Sequence, residues 1–198
     1  MAIVWHTNMT ASELVVAGPD LDVPRPSCPE CVTAMSFWGS YERAVRGAGT
    51  DVRIRVRRAM CKFCRRSHAV LPDLAAVGRL DSVDVIGTAM TDIAAGETAG
   101  SVASKINLPY TTVRDWRRRF VKRAGLLAAG FLRAVVALGD LVPNLPELKM
   151  PLAVVAVAAA ASTVRRRFGL AGADWRLANL VCGGHLLTTN TDPPWIAA

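Results

Sequence analysis

Two Cys-x-x-Cys pairs, a strictly alternating strand just ahead of the second pair, and a switch to helical periodicity after residue 81 predict a mainly α fold with a small β zinc ribbon. The ribbon stands towards the N-terminus, followed by a helix-turn-helix and then by C-terminal helices. The pairs are Cys28-Pro-Glu-Cys31 and Cys61-Lys-Phe-Cys64, separated by residues 32–60. A pair at this spacing lets one tight turn offer two thiolates to one ion, and two such turns complete a tetrahedral sulfur shell that suits zinc. The interval exceeds the roughly 15–20 residues of the common ribbon pattern, so the hairpin between the pairs is expected to be long. The alternative is that the cysteines are reduced or disulfide-bonded. Four thiolates leave no open position for water, so the expected Zn2+ is structural. Lys62, Arg65 and Arg66 would offset its charge. His68 could replace one ligand, pack beside the site or contact phosphate.

The elements follow in order. Residues 1–24 read as a short apolar strand (Ile3, Val4, Trp5) and a proline-rich lead-in. Phe37, Trp38 and Tyr41 suit a strand, and Gly47 to Gly49 a turn. In Asp51-Val-Arg-Ile-Arg-Val-Arg-Arg58, Val52, Ile54 and Val56 share one face and Arg53, Arg55 and Arg57 the other. The ribbon is therefore placed at 25–72. Val83, Ile86, Met90 and Ile93 then recur at helical spacing, and Gly96 ends that helix. A short helix carries Ala99, Val102, Ala103 and Ile106 inward, and Asn107-Leu-Pro109 makes a turn. A third helix opens at Tyr110 or Thr111, with Val113, Trp116 and Phe120 buried. This places a helix-turn-helix at 80–125. A helical region is expected over 126–187, with a break at residues 142–146, an Ala/Val-rich helix at 151–168 and a last helix at 175–182. Residues 188–198 read as an irregular tail.

Composition narrows the function. The 198 residues are 52% hydrophobic but only 6% aromatic, which favours small helical cores. Lys and Arg number 24 against 16 Asp and Glu, a formal charge of +8 that points to a polyanionic partner. The start has no basic segment leading into a long apolar core, so no secretory signal is read. The longest apolar stretch, residues 152–161, is well short of the about 20 residues of a membrane span. A cytoplasmic, nucleoid-associated protein without a membrane partner is expected.

The third helix, Thr111-Thr-Val-Arg-Asp-Trp-Arg-Arg-Arg-Phe-Val-Lys-Arg123, is the candidate reader of double-stranded DNA. Thr111, Thr112, Arg114, Asp115 and Arg118 are expected outward near base edges, with Arg117 on the same helix. Arg119, Lys122 and Arg123 are expected on phosphates. The competing reading is a solvated basic face on an ordinary core helix. Arg53, Arg55 and Arg57 form a possible second DNA surface, or else a charged edge that discourages aggregation. Arg165 to Arg167 suit the negative end of a helix dipole. Cys182 and Trp175 read as core, and His6 and His185 show no partner in sequence.

The series CPEC, VRIRVRRAMCKFCRRSHAVLP, TAGSVASKINLPYTTVRDWRRRF and RRRFG with DWRLANLVCGGHLL resembles small actinobacterial zinc-ribbon/helix-turn-helix proteins described as transposase-associated, over about residues 25–195. Residues of about 25–125 are also similar to the front of several insertion-sequence transposases. The resemblance implies zinc on the four cysteines and DNA on the third helix. Transposases continue into a carboxylate-triad domain, whereas Asp140, Glu147, Asp174 and Asp192 here are scattered. The expectation is therefore recognition without catalysis. The chain would be a transcriptional regulator or the recognition subunit of a mobile element, alone, as a homodimer or beside a separate transposase or recombinase chain. The alternatives are a protein-interaction module docking on a transposase or polymerase, and a catalytically incomplete transposase remnant.

Overall fold

The computed structural model describes residues 2–47, 49 and 51–188. The expected tail lies outside the described residues, apart from Thr188. The fold is mixed α/β, with six α-helices and one four-stranded sheet among the described residues. This corrects the mainly α expectation. The sheet is larger than a ribbon hairpin because the N-terminal segment joins it. β1 (Ala2–Trp5) pairs in parallel with β4 (Ser67–Pro72), β4 pairs antiparallel with β3 (Asp51–Met60), and β3 antiparallel with β2 (Ser36–Arg46). The order is β1-β4-β3-β2.

The alternation read in β3 holds. Ile54 and Val56 are buried and Arg53 and Arg55 exposed. Because side chains alternate faces, the arginine row shares its face with Ala59 and, across the register, with His68 and Val70. That face carries the cysteine core. The opposite face, with Val45, Ile54, Val56 and Leu71, packs against Leu14, Leu74 and Ala75.

Leu14 belongs to α1 (Ala11–Ala17), a helix missing from the sequence reading. Its signal was present as Thr10-x-x-Glu13. Thr10 Oγ1 accepts from the Glu13 N–H at 3.2 Å, and a Glu13 carboxylate oxygen accepts from the Thr10 N–H at 2.6 Å, a reciprocal capping box.

The helices follow the predicted periodicity. α2 (Val83–Ala94) starts at the Ser82 cap and buries Val83, Ile86, Met90 and Ile93. α3 (Ala99–Lys105) starts at the Thr98 cap and buries Val102 and Ala103. Asn107, at φ 53°, turns the chain into α4 (Tyr110–Ala137). α4 is one uninterrupted helix of 28 residues. Its later turns bury Leu127, Ala128, Phe131 and Val135 in a core shared with Ala153, Ala156, Val157 and Ala160 of α5 (Lys149–Phe168). The alanines let the two backbones approach closely. α6 (Asp174–Val181) closes the body. Trp175 lies 5.8 Å from Phe120, centroid to centroid, and its indole N–H donates to Thr91 Oγ1 at 3.1 Å. Cys182 is buried, as expected of a core thiol, and His185 Nδ1 is 3.2 Å from Thr188 Oγ1. The basic end of α5 is paired: Arg165 meets Asp174 at 2.8 Å, and Arg166 meets Asp140.

Sheet and helices are tied through residues 73–82. Asn179 Nδ2 donates to the carbonyls of Asp73 (2.8 Å) and Ala75 (3.3 Å). The Arg46 backbone exchanges hydrogen bonds with Leu80 and Ser82 at 2.8 Å each, and its guanidinium meets Asp81 at 2.9 Å. Arg43 donates to the carbonyls of Ala76 and Arg79. Arg176 reaches across to Asp84 (2.6–3.0 Å) and to the Met9 carbonyl (2.8 Å), and His6 Nδ1 sits 2.8 Å from Asp73.

Gly87, inside α2, is required for packing rather than conformation. A Cβ there would lie 2.1 Å from Trp175 Cγ. Gly87→Ala is therefore expected to destabilise the chain by about 1–3 kcal/mol, despite alanine's higher helix propensity, because the indole must move. Urea unfolding of the two proteins measures this.

Candidate metal centre and the α4 surface

The two cysteine turns have the same backbone construction. In the first, the Cys28 N–H donates to the Thr33 carbonyl (2.8 Å) and the Val32 N–H to the Cys28 carbonyl (2.9 Å). In the second, the Cys61 N–H donates to the Arg66 carbonyl and the Arg65 N–H to the Cys61 carbonyl, both at 2.9 Å. Each turn places the residue after its second cysteine at positive φ, Val32 at 54° and Arg65 at 60°. The first turn leads towards β2 and the second joins β3 to β4, so the sheet register brings them together.

The sulfurs of Cys28, Cys31, Cys61 and Cys64 all lie within 4.8 Å of one another, and Cys28 Sγ and Cys64 Sγ are 3.6 Å apart. Metal–sulfur bonds of about 2.3 Å in a tetrahedral shell put the sulfurs about 3.8 Å apart. The donor set and its spacing thus fit one metal ion. Cys28 and Cys61 are buried, with Met35, Ala59 and Val70 behind them. The thiols differ in acidity. The Thr33 hydroxyl, 3.4 Å from Cys61 Sγ, and then the Cys64 backbone draw Cys61 down to about 6. Burial, then hydrogen bonds with the Cys64 and Cys28 thiols, push Cys31 up to about 12. An ion bound here must displace the protons these groups retain. Arg66 pairs with Glu30 across the two turns, and Lys62 and Arg65 are exposed beside them. His68 is buried but is not among the clustered ligands; burial lowers its pKa.

On α4, Thr111, Arg114, Arg117, Arg118 and Lys122 are exposed, while Val113, Trp116 and Phe120 are buried. Arg114 lies over the Tyr110 ring at 5.8 Å and 3.4 Å from Asp115. Thr112, Asp115 and Arg119 are half-buried on the neighbouring flank, where they line a recess with the 78–81 segment. Arg123 departs from expectation. It is only 5% exposed and donates to the Thr188 carbonyl, with Thr188 Oγ1 at 3.4 Å. It serves the interior and is removed from the phosphate-contact set, because the helix has turned it towards a segment 65 positions away. On the sheet, Arg53 and Arg55 are exposed, and Arg55 Nε donates to Ser40 Oγ at 2.9 Å. Arg57 is half-buried over Phe37, 5.0 Å from its centroid. Sequence reasoning passed over Arg58, which stacks on Trp38 at 4.8 Å.

The fold and site define a mixed α/β chain with a four-cysteine centre able to hold one metal ion. Residues 28–116 are similar to a family described as a domain of unknown function (DUF6431); the match runs from the first cysteine into α4. No curated protein and no solved structure matches the chain. Among the described residues, no helix is long and apolar enough to cross a membrane.

Two outcomes are expected. Cys61→Ser should carry far less than one metal ion per chain and melt lower than the parent, measured by atomic emission and calorimetry. Val32 is 81% exposed, so Val32→Gly forfeits little packing while relieving a β-branched residue at positive φ. It should stabilise the metal-loaded chain by about 0.5–1 kcal/mol, read from denaturant midpoints.

Proposed function

We propose that the chain is a sequence-directed binder of double-stranded DNA. In this reading Cys28, Cys31, Cys61 and Cys64 hold a structural Zn2+ that organises a zinc ribbon, and α3, the Asn107 turn and α4 act as a helix-turn-helix. The observation that carries it is the exposed cationic row on the first four turns of α4, directly after a short helix and a tight turn. Thr111, Arg114 and Arg118 recur at i, i+3 and i+7, so they share one flank that could face base edges. Arg117 and Lys122 are placed for phosphates. Arg53 and Arg55 supply further positive charge on the sheet. Together with the resemblance to transposase-associated proteins, this favours a cytoplasmic role at the chromosome, as a transcription regulator or as a recognition subunit for a mobile element.

A competing reading, docking on a protein, draws on the exposed apolar residues in and beside the cysteine turns, Phe63 (82% exposed), Val32 and Met60. DNA is preferred because the charge lies on the helix that the turn presents.

Fragment selection from a genomic library, followed by a salt series on the selected duplex, tests the proposal. Affinity should fall steeply with salt, as counterion release requires. Arg118→Ala should cost about 1–3 kcal/mol on the selected site and less on unrelated DNA. Failure of the metal-loaded chain to bind any duplex at low salt would overturn the DNA reading.

A further inference from the structure

The chain between α4 and α5 takes a path that neither the metal centre nor the DNA reading uses. Asp140, just past the end of α4, accepts from Thr163 Oγ1 at 2.6 Å and from the Arg166 guanidinium, both in the last turns of α5. Leu138 packs at the same end, with Ala161 and Val164. α4 and α5 therefore point the same way, and the chain must return to Lys149 at the start of α5. That return is about 21–26 Å along the helix axis. The nine steps from Asp140 to Lys149 reach about 30 Å when fully extended. Segment 141–148 is thus nearly straight and lies alongside α5.

This segment is apolar on its outside. Leu141 is 93% and Leu148 72% exposed, with Val142 and Leu145 exposed between them. Pro143 and Pro146 keep the segment out of any sheet, so its side chains rather than its backbone are on offer. Beside it, α5 carries no charged residue from Met150 to Val164. Four exposed apolar residues along one straight segment make a patch of the kind that marks an interaction face.

The charges at the two ends of this face show what covers it. Arg165 and Arg166 are engaged by Asp174 and Asp140. Glu147 at one end and Arg167 at the other are exposed, and neither side chain has an ion pair or hydrogen bond among the described residues. They stand about 30 Å apart along the direction of α5. A face with an unpaired carboxylate at one end, an unpaired guanidinium at the other and apolar residues between them is complementary to itself when reversed.

We propose that segment 141–148 and the adjoining side of α5 form a self-association face. A second copy of this chain packs on it in the opposite direction, so that Glu147 of each copy meets Arg167 of the other. The contact is isologous, with the same patch used on both sides, and it closes at two copies. The apolar row supplies the attraction, and the two ion pairs fix the direction and the register. Neither the metal nor DNA takes part in this contact.

The test uses the full metal-loaded chain and two variants, Glu147→Arg and Arg167→Glu, each first checked for metal content and melting. Both positions are exposed, so the variants should fold as the parent does. In sedimentation equilibrium without DNA, the parent should be a dimer across the micromolar range. Each variant alone should have its dimer dissociation constant raised by about tenfold or more, because like charges then face each other twice. Mixed in equal amounts, the two variants should associate again, since each supplies the charge that the other has lost. A parent that stays monomeric refutes a second copy as the occupant. A dimer that is indifferent to both reversals, or is weakened by both and not recovered on mixing, refutes this face as the interface.

Discussion

One face of the sheet is organised around four sulfurs that lie within 4.8 Å of one another, close enough to share an ion. The two turns that carry them are far apart in sequence, and each holds its cysteines by the same pair of backbone hydrogen bonds. That repetition shows a turn geometry selected twice, even though the residues at the strained position, Val32 and Arg65, are poor occupants of positive φ. Behind the sulfurs lie Met35, Ala59, Val70 and Val23, with Ile3, Trp5, Leu21 and Phe37 packed against them. An ion bound there would add its coordination energy to that packing. The register of β2, β3 and β4 then sets where both the arginine row and the connector to α2 must run.

The connector is the second constraint. Residues 73–82 receive hydrogen bonds from β2 and from α6, and they contact the segment just before Thr188. Sheet and helices are therefore joined through a shared strap rather than by a free linker. A recess lined by Arg46, Arg79, Asp81, Thr112, Asp115 and Arg119 forms where that strap passes the first turns of α4.

Much of this was legible in the sequence because the signals were local. The cysteine spacing, the alternation through Val52, Ile54 and Val56, and the periodicity through Val83, Ile86, Met90 and Ile93 each depend on neighbours a few residues away. The capping box at Thr10 and Glu13 was equally local and was overlooked. What could not be read depended on distant partners. The parallel pairing of β1 with β4 enlarges the sheet but leaves no mark on Ile3 or Trp5 alone. Arg123 looks like its basic neighbours until Thr188 is brought against it. Gly87 looks like a defect in a helix until Trp175 is packed over it. Periodicity assigned Thr112, Asp115 and Arg119 to an outward face without revealing that the 78–81 segment covers that flank.

The unbroken run of α4 has a mechanical consequence. Its 28 residues span about 42 Å, with the cationic turns at one end and the alanine-lined contact with α5 at the other. Neither proline nor a helix break separates the two ends, but Gly125 and Gly130 lie between them. A tilt at the α5 contact must pass the turns that hold these glycines, and the packed turns of Trp116 and Phe120, before it reaches the arginines.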